Sequence, residues 1–147
     1  MNRVLYTIGF TKTNAQNFFE RLKAVGISKL LDTRLNASSQ LSGFAKSDDL
    51  AYFVPNLLSA IYVQAPSLAP TSDMLKSYRA KKLSWIEYEV QYASLLRSRD
   101  LSKDPALLGL DGACLLCSEH SAKMCHRRLA AEYLSTLTPG GLEIVHL

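Results

Sequence analysis

The chain has 147 residues, of which 48% are hydrophobic and 20% are charged, and this balance excludes an intrinsically disordered protein. No apolar run approaches the roughly 18 residues that a membrane span needs, and the first residues do not predict a signal peptide. The net charge of +4 is enough to attract an anionic ligand but does not establish nucleic-acid binding. We therefore expect one soluble, cytoplasmic domain over residues 1–147, without membrane association.

In the first part of the chain, two predicted strands frame a helix. Residues 4–8 are β-branched and aromatic, which is typical of a strand. A helix should follow, because the capping-box pair Thr13 and Gln16 precedes apolar residues at helical spacing. Gly26 stands where a helix C-cap glycine belongs, and residues 27–31 predict a second, buried strand.

The middle of the chain continues this alternation. A second helix should begin near Ser47, and Pro55 should kink or split it. Residues 60–64 predict a third strand, which a loop and two more helices follow. The second of these helices begins at Ser84, where Glu87 completes another capping box.

The last third holds a strand over residues 113–117, a helix within residues 122–137 and a final strand over residues 142–146. Short apolar strands that alternate with helices predict a three-layer, Rossmann-like α/β sandwich around a mainly parallel sheet of about five strands. Ligands of such sheets bind outside the carboxyl ends of the strands. The polar residues that follow the second and fourth strands should therefore share one edge.

Those polar residues form the predicted site. An Asp-Thr-Arg segment follows the second strand, a Cys-Ser-Glu segment ends the fourth, and a Cys-His-Arg segment opens the last helix. Their side chains can exchange protons, act as nucleophiles or bind anions. The predicted catalytic residues are Asp32, Cys117, Glu119, Cys125 and His126, and the predicted substrate-binding residues are Arg34 and Arg127.

The same motifs carry a family resemblance. Together with Tyr6-Thr7-Ile8-Gly9-Phe10, Phe44, Tyr62 and residues 85–92, they resemble the domain of unknown function 488 family over nearly the whole chain. This chain has Ala37, Ser39 and Gln64 where the family pattern has proline, arginine and histidine. No biochemical activity is established for that family, so the resemblance implies a fold and a site rather than a function.

The charged residues have two interpretations. Arg127 should lie in the first turns of the last helix, where free N–H groups and the helix dipole favour an anion. Asp32 and Glu119 could serve as general acid and base. Alternatively, Arg127 pairs with Glu119 or Asp32, and each carboxylate simply holds an arginine in a structural network.

The cysteines also leave alternatives open. Cys117 and Cys125 could supply a nucleophile, a redox pair or, with His126, metal ligands whose fourth partner would be Glu119, His120 or Asp32. The spacing matches no zinc ribbon, so we predict no metal. Cys114 should be a core thiol on the opposite face of its strand.

Two functions fit these residues. The first is an enzyme that acts on a phosphorylated or nucleotide-like anion. The second is a non-catalytic module that binds nucleic acid or another anion, in which the Cys, His and Arg residues are structural. Its basic surface would consist of Lys76, Arg79, Lys81 and Lys82, although helical spacing favours burial of the neighbouring rings of Tyr78 and Trp85. His146 is expected to be incidental, and the sequence predicts neither a cofactor nor an oligomeric state.

Overall fold

The computed structural model describes residues 3–119 and 122–147. Within these ranges the strands are β1 (Val4–Gly9), β2 (Lys29–Asp32), β3 (Ile61–Gln64), β4 (Ala113–Cys117) and β5 (Glu143–His146). The α-helices are α1 (Ala15–Val25), α2 (Ser47–Leu58), α3 (Ser72–Arg79), α4 (Trp85–Ser98) and α5 (His126–Leu137). His120, a suggested metal ligand, lies outside the described residues.

The described strands form one five-stranded sheet in the order β3-β2-β4-β1-β5, and each neighbouring pair is parallel. The predicted α/β fold with a parallel sheet is therefore confirmed. Strand β4 lies in the centre, where both of its faces are covered, and this explains why its five residues are all apolar and buried. Its carboxyl end lies between those of β1 and β2.

Helices cover both faces of the sheet. One core contains Leu115 of β4 together with Tyr88 and Tyr92 of α4 and residues of α5. The other contains Leu116 of β4 together with Phe18 of α1 and residues of α2. Tyr88 and Tyr92 are thus core residues.

The predicted cap of α1 is wrong, and the predicted split of α2 does not occur. Helix α1 is capped by Asn14, whose side chain accepts a hydrogen bond from the Asn17 N–H, and not by Thr13. Helix α2 continues through Pro55 instead of splitting there. The carbonyl of Ala51, which loses its helical N–H partner, is on an exposed stretch with Pro55, so water can satisfy it.

Other helix signals are confirmed. Gly26 ends α1 with a positive φ of 65°, and the Ser84–Glu87 capping box at the start of α4 is complete. No helix in the described ranges is long and apolar enough to cross a membrane.

Candidate functional site

The carboxyl ends of β1, β2 and β4 bring the predicted site residues to one edge of the sheet. Gly9 at the end of β1 pairs with Cys117, and Leu116 pairs with Asp32 at the end of β2. Cys125 is the N-cap residue of α5, so the Cys-His-Arg segment begins beside the same edge. Two separate hydrogen-bonded groups nevertheless form here, one around Asp32 and Arg34 and one around Arg127, and His126 bonds to Thr33 apart from both.

The first group is a buried ion pair between Asp32 and Arg34. Asp32 is 1% exposed and accepts two hydrogen bonds from the guanidinium, Nε to Oδ1 at 2.8 Å and Nη2 to Oδ2 at 2.7 Å. The Tyr62 hydroxyl donates to Oδ2 at 2.6 Å. Burial, followed by this bond to Asp32, raises the pKa of Tyr62. The carboxylate is therefore satisfied by the protein itself.

Arg34 has further partners in the loop after β2. Its Nη1 donates to Ser42 Oγ at 3.2 Å and its Nη2 to the Ala45 carbonyl at 2.6 Å. The guanidinium carbon also lies 5.2 Å from the centre of the Phe10 ring, within the range of a cation–π contact. This geometry matches the structural interpretation of Arg34, in which the arginine fixes the loop on the sheet.

The second group is centred on Arg127, a side chain with 0% exposure. Its Nε donates to Thr7 Oγ1 at 3.1 Å, and its Nη1 donates to Cys117 Sγ at 3.2 Å and to the backbone carbonyl of Glu119. Burial lowers the pKa of Arg127 to about 10, so the group remains a cation at neutral pH. Arg127 thus ties β1, the end of β4 and α5 together.

His146 belongs to this second group, which corrects the expectation that it is incidental. Thr7 Oγ1 lies 2.5 Å from His146 Nδ1. Because Thr7 Oγ1 already accepts from Arg127, its proton is available for donation to the imidazole. Burial lowers the pKa of His146, which is consistent with a neutral ring that accepts this bond.

Gly9 makes the second group possible. A β-carbon on Gly9 would collide with the Glu119 carbonyl and would lie 2.8 Å from Arg127 Nη1. Only a residue without a side chain therefore lets the segment after β4 cross the end of β1. The carboxylate-bearing residue Glu119 is itself exposed.

Cys117 and Cys125 meet sulfur to sulfur beside Arg127. Both are buried, and their Cα atoms are 7.7 Å apart. Cys114 packs in the other core, and burial raises the pKa of its thiol. The prediction of a core position for Cys114 is confirmed.

His126 contacts the strand end through one ring nitrogen. Its Nε2 lies 2.9 Å from Thr33 Oγ1 and 3.1 Å from the Thr33 carbonyl oxygen. Since a carbonyl oxygen only accepts, Nε2 carries the proton in the neutral ring and Nδ1 is unprotonated. Burial lowers the pKa of His126 from 6.5 to about 4, so the imidazole is neutral at pH 7.

This shift predicts a loss of stability in acid. Between pH 6.5 and about 4 the unfolded chain binds a proton at His126 that the folded protein excludes, so the free energy of unfolding falls as the pH falls. The expected contribution is about 2–3 kcal/mol. Urea unfolding across this window measures it, and His126→Asn isolates it from the carboxylates. An identical pH dependence in both proteins would contradict the assignment.

A polar cleft of about 250 Å³ opens at the same edge of the sheet. It is formed mainly by segments that follow β1, β2 and β4, with one side chain from the end of α3. Among the described residues, its lining consists of Phe10, Thr11, Asn36, Ser39, Leu41, Ser42, Arg79 and Ser118. None of the seven predicted site residues lines it, although Arg34 holds Ser42 and Cys117 precedes Ser118.

A family model for a domain of unknown function, DUF488, matches residues 14–134, which is most of the chain. The chain belongs to the DUF488 family. No curated protein and no solved structure matches it significantly. The resemblance seen in the motifs is therefore confirmed, and this family has no established activity.

In this DUF488 protein, the motif residues Arg34 and Cys117 hold the segments that form the cleft. The polar residues that line the cleft are not among the site residues predicted from the sequence. The polar lining residues are single hydroxyls, an amide and an arginine without a motif of their own. A signal was present in their positions, because Thr11, Asn36 and Ser118 closely follow the ends of three adjacent strands. The sequence predicts Arg79 on a basic surface instead.

Among the described residues of this DUF488 protein, no arrangement supports the metal alternative. Within residues 3–119 and 122–147, no group of three or more His, Cys, Asp or Glu side chains is placed to hold a metal ion. Cys117 and Cys125 are in contact with each other, and the His126 Nε2 atom is directed to Thr33.

Proposed function

We propose that this protein binds a small phosphorylated or nucleotide-like anion in the polar cleft at the carboxyl edge of its sheet. The observation that carries the proposal is Arg79. It lines the cleft, and among the described residues no hydrogen bond or ion pair occupies its guanidinium. A planar fork of N–H donors is suited to phosphate and carboxylate groups.

The hydroxyls around Arg79 support an anionic ligand. Ser42 Oγ accepts from Arg34 Nη1, and Ser39 Oγ accepts from the Leu41 N–H at 3.2 Å. Because both oxygens already accept a hydrogen bond, their protons remain available for donation to a ligand. Thr11 and Ser118 add two more hydroxyls to the lining.

The dimensions and apolar parts of the cleft favour a small ligand. Its volume of about 250 Å³ is near the lower end of small-molecule sites. Phe10 and Leu41 provide apolar surface beside the polar groups. A phosphate that carries a sugar or a single nucleoside has both a charged group for the polar lining and a less polar part for Phe10 and Leu41.

If the bound compound is also transformed, Glu119 is the residue that we propose as acid or base. It is exposed and directly follows Ser118 in the cleft wall. Asp32 is held by Arg34 and Tyr62, whereas Cys117 is buried against Cys125. Their predicted catalytic roles, together with those of Cys125 and His126, would require these contacts to open.

Arg79→Ala should weaken binding of an anionic ligand about tenfold or more, since hydrogen bonds to charged groups contribute about 1.5–3 kcal/mol. Calorimetric titration with inorganic phosphate, ribose 5-phosphate and adenosine monophosphate measures this, with adenosine as the uncharged comparison. Arg97→Ala on the exposed side of α4 is the matched control and should bind normally. Absence of binding to the wild-type protein, or equal affinity of Arg79→Ala, would refute the proposal.

Glu119→Gln separates a binding protein from an enzyme. In an enzyme of this kind, the substitution should abolish turnover of the bound phosphate compound while its affinity is retained, because Gln cannot exchange the proton. Full activity of Glu119→Gln would exclude the proposed acid–base role.

Nucleic-acid binding is the second candidate, supported by the exposed Lys76, Arg79, Lys81 and Lys82 around the end of α3. The neighbouring rings are already engaged, since Trp85 lies 5.8 Å from Tyr78 and stacks on Tyr88 at 5.3 Å. Binding would therefore depend on charge. Affinity for an oligonucleotide that falls steeply with salt would favour this candidate over the small-anion cleft.

A further inference from the structure

We propose that Cys117 and Cys125 form a redox-active dithiol–disulfide site, which hydrogen peroxide oxidises and a dithiol reductant restores. The two sulfurs meet although the residues come from different elements, the end of β4 and the cap of α5. Cys114 is in the other core and provides an internal comparison. This site is separate from the anion cleft and does not depend on the proposed function.

The surroundings of the pair favour thiolates. Arg127 Nη1 donates to Cys117 Sγ at 3.2 Å from a fully buried guanidinium, where a cation acts strongly. Cys125 is the N-cap residue of α5, at the positive end of the helix dipole. A nearby arginine and a helix N-terminus are two features that activate cysteines.

The position of Cys125 determines which thiol meets the oxidant first. Cys125 is 2% exposed and follows Met124, which is 53% exposed, whereas Cys117 lies deeper at the end of the central strand. A small oxidant such as hydrogen peroxide reaches Cys125 with a slight opening of this surface. Cys117 is then the resolving residue.

Hydrogen peroxide oxidises the pair in two steps. The Cys125 thiolate attacks one peroxide oxygen; an S–O bond forms, the O–O bond breaks, and the departing hydroxide is protonated to water by a buffer acid. The Cys117 thiolate then attacks the Cys125 sulfur, so that an S–S bond forms and the S–O bond breaks. This second hydroxide is protonated to water. Each sulfur loses one electron, and the peroxide gains two.

The backbone is compatible with both states. Relaxed disulfides join Cα atoms about 4.4–6.8 Å apart, and the Cα atoms of Cys117 and Cys125 are 7.7 Å apart. A relaxed disulfide therefore needs a shift of about 1 Å of the start of α5 toward β4, and the wider spacing is compatible with the reduced pair. Oxidation also removes the charge with which Cys117 attracts Arg127.

Peptide mapping tests the proposal directly. The fully reduced protein is treated with one equivalent of hydrogen peroxide, blocked with N-ethylmaleimide and digested with trypsin. Cleavage after Lys123 separates the two residues and leaves Cys125 in the short peptide 124–127. We expect that peptide to be linked to peptide 104–123, and the intact protein to lose two of its three thiols.

Peptide 104–123 also contains Cys114, so Cys114→Ser is the matched control and should form the same link. Cys125→Ser should form none. If Cys125→Ser does not fold, the wild-type and Cys114→Ser digests decide the question. Unlinked peptides in both oxidised proteins, or a link that Cys114→Ser abolishes, would overturn the proposal, as would a link that a dithiol reductant fails to reverse in the folded protein.

Discussion

Replacing Arg127 with alanine is expected to lower the free energy of unfolding by about 3–5 kcal/mol. The side chain is fully buried and donates to Thr7, to Cys117 and to the carbonyl of Glu119. Its removal leaves these acceptors without their donor and leaves a cavity where three elements meet. Urea unfolding of the reduced protein measures the change.

The neighbouring Arg128 provides a matched control. Its guanidinium pairs at the surface with Glu132 at 3.0 Å and Glu89 at 3.6 Å. Because exposed pairs contribute about 0–1 kcal/mol, Arg128→Ala should have a small effect. Similar losses in both variants would show that Arg127 is not a structural centre. Arg127→Lys should be intermediate, since lysine keeps the charge but lacks the planar fork.

Asp32→Asn is expected to destabilise the protein by about 3–5 kcal/mol, the range for removal of one partner of a buried ion pair. Asparagine nearly preserves the shape of the side chain, so the loss measures charge rather than packing. It leaves the Arg34 guanidinium buried without its counter-ion and weakens the bond from the Tyr62 hydroxyl. Thermal or urea unfolding measures the change.

Asp49→Asn is the control for Asp32→Asn. Asp49 pairs with Lys46 at 3.8 Å, and its side chain is 44% exposed. We expect a change below about 1 kcal/mol. If Asp32→Asn is as stable as this control, the ion pair is not needed for the fold, and a functional role for Asp32 gains support. A stable Asp32→Asn variant that loses phosphate binding would establish that role.

The fold followed from local patterns. Apolar runs the length of a strand predicted β1, β2 and β4, and the Ser84–Glu87 capping box and Gly26 marked helix ends that the structure confirms. These signals depend on only a few consecutive residues, so they can be read from the sequence without the tertiary structure. The cap of α1 was misplaced by one residue because Thr13 and Asn14 are both capable caps, and only the backbone path selects Asn14.

The sequence predicted which residues come together at the site, but it did not predict which of their atoms contact each other. Parallel strands predicted that Asp32 and Cys117 end at one edge, yet their partners could not be read from the motifs. Asp32 pairs with Arg34, two residues away, whereas Arg127 reaches Thr7, 120 residues away. Which arginine meets which acceptor depends on the twist and register of the sheet.

The amino-acid sequence by itself determined the order of strands and helices, the chemical groups at the carboxyl edge and the membership of the DUF488 family. Hydrophobic periodicity, capping residues and motif spacing are properties of short segments, so the sequence alone is sufficient to recognise them. Only the tertiary structure decided that Asp32, Arg34 and Arg127 are buried and that Arg79 lines the cleft with the serines. Burial and hydrogen-bond partners depend on distances between remote parts of the chain, and folding alone sets those distances.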